Sequence, residues 1–205
     1  MNTINAILKR RSINSFNEDY FISRKELEKL IKLATCAPSV FNLQHWRFLI
    51  VEKRRIKESI QKILLNQKAV TSASCFIILC ADLNAWKTHP EHVWRHAPEK
   101  VISHVKKTLQ EYYDKNPLYI RDDAIKSCSL AAQNLLLAAT SMGYDSTLIS
   151  DYDHAKISKI IELPQNYIIS MCIAIGKKNR EAPPKAGIMD FDEVVYYNDF
   201  KTKSS

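Results

Sequence analysis

The sequence predicts a single α+β domain spanning residues 1–205. Segments with helical periodicity alternate with only a few short strand-like runs, and one segment, Leu130 to Met142, is apolar on almost every face. A helix of that kind is buried in a core or between subunits. No internal repeat, low-complexity tract or linker divides the chain, whose 46% apolar and 25% charged residues are typical of a globular protein.

The amino-terminal half is predicted to hold helices around two strands. A first helix ends near Arg10, and apolar residues at i, i+3, i+4 and i+7 predict a second helix over 25–35, with Ser23 as its N-cap. The segment 47–52 is predicted as a strand, and a helix follows whose apolar face carries Ile56, Ile60, Ile63 and Leu64. The uninterrupted apolar run 74–81 predicts a strand that is buried on both faces.

The carboxyl-terminal half is predicted to begin with two long helices, at 100–114 and about 121–142, and Gly143 suits the C′ position of the second. A strand near 146–149, a small helix at about 154–162 and a strand over 167–176 follow. The last thirty residues carry too little apolar surface to fold alone, so they must pack against another surface.

Scarce glycine limits how a phosphate could be bound. The chain has three glycines, Gly143, Gly176 and Gly187, where average usage would give roughly 14. A Rossmann fingerprint or a P-loop needs two or three glycines close together, because the backbone must approach the phosphate. Side chains and helix termini must therefore hold any phosphorylated ligand.

The cysteine pattern, together with the lack of a secretory signal or a membrane span in the sequence, predicts a cytoplasmic protein. The five cysteines are odd in number and form no C-x-x-C pair, so they are interpreted as reduced, buried thiols: Cys36, Cys75, Cys80, Cys128 and Cys172. The start of the sequence has no secretory signal pattern, and no apolar run reaches the length of a membrane span. We expect no membrane partner.

The formal charge of +8 is spread over the whole sequence. Basic residues occur in short groups with acidic residues among most of them, no run reaches five, and no nucleic-acid motif is present. Solvated helix faces explain this pattern, and we expect no nucleic-acid partner. Nucleic-acid binding remains an alternative that rests on charge alone.

Protein-based catalysis and metal binding have little support. There is no G-x-S-x-G motif, and no cysteine lies where its pKa would obviously be lowered. His89, His92 and His96 form the strongest metal-like pattern, in which His92 and His96 could share a helix face. Because prolines bracket the segment, the favoured interpretation is a half-buried helical turn containing Trp94, and we predict no metal site.

Two short stretches contain side chains that could bind a ligand. Residues 9–16, KRRSINSF, place two arginines and a serine at a helix end, where guanidinium groups could bind a phosphate or simply form an exposed basic end. Residues 37–46, APSVFNLQHW, place Ser39, Asn42 and Gln44 in a turn between aromatic residues. These side chains could bind the edge of a planar heterocycle or satisfy their own backbone.

Blocks of sequence along nearly the whole chain carry a family resemblance. K-R-R-S-I-x-x-F is followed about 25 residues later by A-P-S-x-x-N-x-Q-x-W-R-F-x-I-V. Asn66-Gln67, the segment S-L-A-A-Q-N-L-L-L-A-A at 129–139, the strand that ends at Gly176 and P-P-K at 183–185 follow. In this order and spacing the blocks resemble the nitroreductase family of FMN-dependent NAD(P)H oxidoreductases.

The resemblance implies an α+β sandwich in which helices flank a central antiparallel or mixed sheet. It implies an obligate homodimer with two FMN molecules at the interface, a helical excursion at about 85–120, and an arm at about 180–205 that extends onto the partner. The implied chemistry is ping-pong: NADH or NADPH gives a hydride to flavin N5, and a nitroaromatic or quinone-like acceptor then takes it. No catalytic side chain is expected, because the flavin carries the chemistry.

The resemblance also assigns cofactor contacts within one subunit. Arg10, Arg11 and Ser12 match the family's phosphate and ribityl contacts, and Lys185 matches its carboxyl-terminal phosphate-binding lysine. The composition had required a phosphate site built from side chains, and these residues would supply it.

Further matched positions concern the flavin ring. Ser39 and Asn42, which follow Pro38, match positions that reach the flavin from the other subunit. Asn66 matches the asparagine at the pyrimidine edge, and Ser150 matches the position whose backbone N–H approaches N5.

Two departures from the family pattern remove expected cations. Asn14 stands where the family often has Lys or Arg, so Lys68 or Arg10 is the candidate replacement near the flavin. Gly187 stands where an arginine commonly follows the carboxyl-terminal lysine by two residues, which removes one phosphate partner.

Two other departures affect the flavin's surroundings. His45 replaces the usual proline, and Asp151 replaces a common glycine beside N5, where an inward carboxylate would disfavour anionic reduced flavin. Asn14, Asp151 and Gly187 favour an alternative function, in which a protein of the same fold binds or sequesters flavin without turnover.

Overall fold

Four antiparallel strands form one sheet in this computed structural model, which describes residues 1–200 of the chain. The spatial order is β1-β2-β4-β3. The strands are β1 Trp46–Ile50, β2 Cys75–Asp82, β3 Asp145–Ile149 and β4 Tyr167–Gly176. The predicted α+β class is confirmed, and all of the described pairings are antiparallel rather than mixed.

Helices account for most of the remaining described chain. Before β2 they are α1 Thr3–Lys9, α2 Arg24–Ala34, α3 Arg54–Ile63 and α4 Ala69–Ser72, with a 3-10 turn at Val40–Asn42. After β2 they are α5 Ala85–Thr88, α6 Pro90–Val93, α7 Glu99–Lys115, α8 Leu118–Ser141, α9 His154–Ile160 and α10 Phe191–Val194. The predicted helices and strands are confirmed to within a few residues at each end.

Residues of β2 alternate between two apolar cores, one on each face of the sheet. Ile77 and Leu79 pack in the core that contains α2 and α8, whereas Phe76 and Ile78 pack in the core that contains α3 and α9. Successive side chains of a strand point to opposite faces, so a central strand covered on both sides must be apolar throughout. This explains why the run that forms β2 is uninterrupted.

Local sequence signals define the ends of two helices. Ser23 caps α2 by accepting a hydrogen bond from the Glu26 N–H, and the Glu26 carboxylate accepts in return from the Ser23 N–H. This is the reciprocal capping box. Gly143 follows α8 with φ +79°, a left-handed conformation that favours glycine.

One predicted thiol environment is wrong. Burial raises the pKa of Cys75, Cys80, Cys128 and Cys172 to about 12, as expected for inert core thiols. Cys36 is exposed, because it lies in the turn after α2 rather than on the apolar face of that helix.

In the described part of the arm after β4, little of the surface packs against the rest of the chain. Of residues 177–200, only Phe191–Val194 form a helix, and several large apolar side chains are exposed, including Ile188, Met189, Phe191 and Phe200. No helix among residues 1–200 is long and apolar enough to cross a membrane.

Replacing Gly176 by alanine is expected to destabilise the protein by roughly 1–3 kcal/mol. A Cβ at Gly176 would lie 2.9 Å from Phe16 Cδ1 and 3.2 Å from the Ser74 backbone nitrogen, and Phe16 is buried and closely packed. Urea unfolding of Gly176→Ala measures the effect. Gly187→Ala is the control, since a Cβ there meets nothing within 4 Å, and equal stability of the two variants would contradict this packing argument.

Candidate functional site

A cavity of about 940 Å³ lies between the end of α1, the segment that follows it, and the carboxyl-terminal arm. Its walls therefore come from two stretches that are far apart in the sequence. Its lining residues are Ile7, Arg10, Arg11, Ser12, Ile13, Asn14, Ser15, Arg180, Glu181, Ala182, Pro183, Lys185, Ala186 and Ile188.

The cavity is strongly cationic. Four basic side chains, Arg10, Arg11, Arg180 and Lys185, line it together with one acidic residue, Glu181. The Glu181 carboxylate accepts a hydrogen bond of 2.7 Å from the Lys178 ammonium group, so its charge is already paired. The remaining positive charge suits an anionic ligand. Guanidinium groups suit a phosphate in particular, because their paired N–H donors can bind two of its oxygens at once.

Two of the basic side chains join α1 and the segment that follows it to the arm. Arg11 donates a hydrogen bond to the Pro183 carbonyl oxygen, and Lys185 Nζ donates to the Leu8 carbonyl oxygen over 2.9 Å. The structure records no side-chain hydrogen bond or ion pair for Arg10 or Arg180 within residues 1–200, so both can donate to a ligand. Arg11 and Lys185 therefore hold the walls of the cavity together, whereas Arg10 and Arg180 keep N–H donors for a ligand.

The segment after α1 is fixed along the edge of the sheet. Ser12 forms a parallel bridge with Ser146 of β3, and the Ile13 N–H donates to the Ser146 carbonyl oxygen over 3.1 Å. The Thr147 hydroxyl donates to the Asn14 side-chain oxygen over 3.4 Å, so the donors of that side chain that remain unused within residues 1–200 are those of its amide nitrogen. Burial of Ile13 anchors the segment against the core.

Arg180 is a lining residue that sequence reasoning missed. Arg180 follows β4 and lines the same cavity as Lys185. The arginine that was expected two residues after Lys185 is replaced by Gly187. A basic residue in the same loop as Lys185, the lysine that the motif predicts to bind the phosphate, was the available signal. Between the two candidate replacements for the cation missing at Asn14, Arg10 lines the cavity with Asn14 and Lys68 does not.

Four other predicted flavin contacts, two that follow β3 and two that follow α3, are not among the residues that line this cavity. Ser150 and Asp151 are exposed and follow β3, four and five residues beyond Ser146, or about 13 Å or more along an extended chain. Asn66 and Lys68 are exposed in the loop after α3, where Asn66 adopts a left-handed φ of 59°. Asparagine tolerates that conformation better than most residues other than glycine.

The predicted turn at 39–44 packs against α7 and α8 and is also separate from the cavity. Ser39 and Asn42 belong to this turn, Pro38 directly precedes it, and Leu43 within it is fully buried. The Gln44 N–H donates to the Ser39 hydroxyl over 3.0 Å, so part of the serine's hydrogen-bonding capacity satisfies the local backbone. This is the turn chemistry that sequence analysis had left as the alternative role.

The turn carries unusual backbone strain. Phe41, Asn42 and Gln44 have positive φ values of 50°, 57° and 49°. Such conformations cost about 1–3 kcal/mol each in residues other than glycine, and they persist only where surrounding contacts enforce them. Trp94 Nε1–H donates to the Phe41 carbonyl oxygen over 3.3 Å and provides one of those contacts.

Of the three histidines, His89 contacts a buried carboxylate at the end of β2. Asp82 is buried at the end of β2, where its carboxylate lies 3.1 Å from Arg47 Nη2 and 3.2 Å from His89 Nε2. Helix α6 ends at Val93, so the hypothesis that His92 and His96 share a helix face is wrong. Within the described residues no group of three potential metal ligands is found.

Fold and cavity define a class: an α+β chain with an antiparallel sheet between two helical layers and a cationic cavity suited to an anionic small molecule. The chain belongs to the nitroreductase family, whose family model matches residues 7–177.

Similar proteins cover nearly the whole chain. Protein DrgA of Synechocystis is 39% identical over 185 residues, which are 90% of this chain and 88% of that protein. The CLA biosynthesis enone reductase of Lactiplantibacillus plantarum is 32% identical, over 86% of this chain and 85% of its own. A solved Staphylococcus epidermidis structure, described as a candidate NAD(P)H:FMN oxidoreductase, has a TM-score of 0.88 and 29% identity over 96% of this chain and 95% of its own.

Proposed function

We propose that this nitroreductase-family protein is a cytoplasmic, homodimeric FMN-dependent oxidoreductase, built as one domain over residues 1–205. It would transfer a hydride from NADH or NADPH to nitroaromatic or quinone-like acceptors. Support comes from the family match and from the resemblance to an enone reductase and to a candidate NAD(P)H:FMN oxidoreductase.

The observation that carries the proposal is the cationic cavity. Arg10, Arg11, Arg180 and Lys185 converge there with the exposed Ser12 hydroxyl, without a glycine-rich loop. This set fits a phosphate monoester, because charged donors form short, strong hydrogen bonds to phosphate oxygens. We assign the FMN phosphate to this cavity.

The remaining proposed contacts suit a long ligand. Ser12 and Asn14 lie against β3 at Ser146 and Thr147. Ser150 follows the end of that strand, roughly 13 Å from Ser146 along an extended chain. A phosphate at one end and a flat ring at the other would need contacts separated in this way. Asn14 would donate from its amide nitrogen, while Asn66, Lys68, Ser150 and Asp151 would border the ring.

The bound FMN would supply the hydride chemistry at N5, in a ping-pong exchange between the nicotinamide and the acceptor. The chain's own groups would bind and orient the reactants. The four core cysteines are ill suited to nucleophilic work, because burial raises their pKa to about 12. This agrees with the expectation that no side chain acts as a nucleophile.

Exposed apolar residues support a homodimer. Ile4, Ile7 and Leu8 of α1 are 53–68% exposed, and Leu130 of α8 is 47% exposed. Helices α1 and α8 are in contact, and large apolar side chains exposed on neighbouring elements are typical of interaction surfaces. A second copy would cover this surface, and its 39–44 turn would supply Ser39 and Asn42 to the flavin.

Replacing Arg180 by alanine is expected to weaken FMN binding about tenfold or more, because a hydrogen bond to a charged group contributes roughly 1.5–3 kcal/mol. Fluorescence quenching during titration of the apo-protein with FMN measures the dissociation constant. Arg55→Ala, which removes an exposed arginine from α3, is the matched control. An unchanged dissociation constant for Arg180→Ala would remove Arg180 from the phosphate site.

The alternative, flavin binding without turnover, is favoured by the exposed carboxylate of Asp151 beside the assigned Ser150 contact and by Gly187. Stopped-flow mixing of the FMN-loaded protein with NADH and with NADPH separates the two functions. Rapid loss of the oxidised-flavin absorbance, followed by its recovery with p-nitrobenzoate or menadione, supports the enzyme. Slow or absent reduction supports sequestration.

A further inference from the structure

Ser127 is fully buried on α8 and is the hydrogen-bonding centre beneath the strained 39–44 turn. Its hydroxyl donates to the Asp123 carbonyl oxygen over 2.7 Å. The Val40 N–H of the turn donates to the same oxygen over 3.3 Å, and His45 Nδ1 lies 3.2 Å from it. One hydroxyl therefore joins the helix to both ends of the turn.

The geometry defines the direction of these hydrogen bonds. A serine hydroxyl has one proton and two acceptor lone pairs, and the shortest contact assigns that proton to Asp123. Val40 N–H and His45 Nδ1–H are then the two donors to Ser127, which makes the neutral Nδ1–H tautomer the one that fits. All hydrogen-bonding capacity of the Ser127 hydroxyl is used.

The turn needs such support because its own conformation is unfavourable. Three of its residues, Phe41, Asn42 and Gln44, have left-handed φ values, and none of them is glycine. Trp94 holds the turn from the side of α6, and Ser127 holds it from α8. Ser39 and Asn42, which we have assigned to the partner's flavin, flank the residues held in this way.

We propose that Ser127 is a positioning residue that fixes the 39–44 turn so that Ser39 and Asn42 are held in place for the flavin of the partner subunit. The inference rests on the proposed function, since it requires that the turn contact FMN. In this proposal a buried serine on α8, which itself touches no cofactor, determines how much the turn contributes to the affinity for FMN.

Ser127→Ala is expected to weaken FMN binding about tenfold, because the partly buried Val40 N–H and the buried His45 ring lose their acceptor and the turn can relax. Ser129→Ala is a matched control. Ser129 lies on the same helix and donates the same kind of hydrogen bond, to the Ile125 carbonyl oxygen four residues earlier, but it is exposed and does not contact the turn. Fluorescence quenching of FMN measures the dissociation constants, and we expect the Ser129→Ala value to stay within twofold of wild type.

A double-mutant cycle with Asn42→Ala separates positioning from general destabilisation. If Ser127 acts through the turn, adding Ser127→Ala to Asn42→Ala weakens FMN binding less than tenfold, because the Asn42 contact has already been lost and only that of Ser39 remains. Full additivity would overturn the proposal. Ser127→Cys, which is nearly the same size but accepts hydrogen bonds weakly, gives a second test if the alanine variant does not fold, and we expect it also to weaken binding by several-fold.

The outcomes distinguish this inference from the proposed function. Wild-type protein that does not bind FMN contradicts the proposed function and with it the inference. Wild-type protein that binds FMN, with Ser127→Ala and Ser127→Cys indistinguishable from Ser129→Ala, contradicts the positioning role alone. Increased hydrogen exchange at the Val40 amide in the Ser127→Ala apo-protein, unchanged in Ser129→Ala, supports the positioning role directly.

Discussion

Replacing both Arg10 and Lys185 by alanine is expected to weaken FMN binding by at least ~100-fold. Each charged donor contributes roughly 1.5–3 kcal/mol to a phosphate contact, and two such losses together exceed the ~2.8 kcal/mol that corresponds to a factor of 100. The two residues come from different stretches of the cavity lining, the end of α1 and the arm, so neither is expected to replace the other. Titration of the apo-protein with FMN measures the loss.

A control must remove the same charge elsewhere, because net charge alone attracts anions. Lys9 and Lys62 are exposed and lie outside the cavity lining, so the double variant Lys9→Ala/Lys62→Ala serves this purpose. We expect it to bind FMN within about threefold of wild type. Similar losses in both double variants would show that overall charge, rather than the cavity, determines the affinity.

Lowering the pH from 7 to 4 is expected to remove up to about 3 kcal/mol of stability through His45 alone. Burial lowers the pKa of His45 from 6.5 to about 4; the charges of Asp123 and Asp82 raise it, and those of Arg47 and His89 lower it. The unfolded chain therefore binds more protons between these two values. The contribution is fully present above pH 6.5 and is lost as the pH falls toward 4.

Chemical denaturation at pH 7 and pH 4 measures this effect as a difference between proteins. His45→Asn keeps an amide near Ser127 but cannot titrate. Between pH 7 and pH 4 the free energy of unfolding should therefore fall by about 3 kcal/mol less in this variant than in wild type. His104→Asn, which changes an exposed histidine on α7, should behave as wild type. Equal pH dependence in wild type and His45→Asn would contradict the burial argument.

The fold was largely predictable because its signals are local. The apolar face of α2, its Ser23 cap, the all-apolar β2 and the glycine after α8 each follow from rules that act over a few residues. The exposure of Cys36 was not predictable in the same way. It depends on where α2 ends relative to the core, and one residue of difference moves a side chain to another face of a helix.

The candidate site was predictable only in part because it depends on residues distant in sequence. Arg10, Arg11, Ser12, Asn14 and Lys185 were predicted from motifs, and the structure places all five around one cavity. Arg180 was missed because it belongs to no matched block.

The buried contacts of Ser127 were also missed. A serine in the middle of a helix gives no signal in the sequence that a turn 87 residues earlier donates to it. Such a role follows only from the packing of α8 against the 39–44 turn.

An anaerobic reductive titration tests the central claim most directly, namely that the cationic cavity and the strained turn of a nitroreductase-family chain bind FMN for hydride transfer. Purified protein, saturated with FMN and freed of excess, would be titrated with NADPH and separately with NADH while the flavin absorbance is followed. We predict a yellow protein with one FMN per chain, which loses its oxidised-flavin absorbance on addition of one equivalent of at least one nicotinamide. Protein that retains no FMN, or whose bound FMN stays oxidised with both nicotinamides, would contradict it.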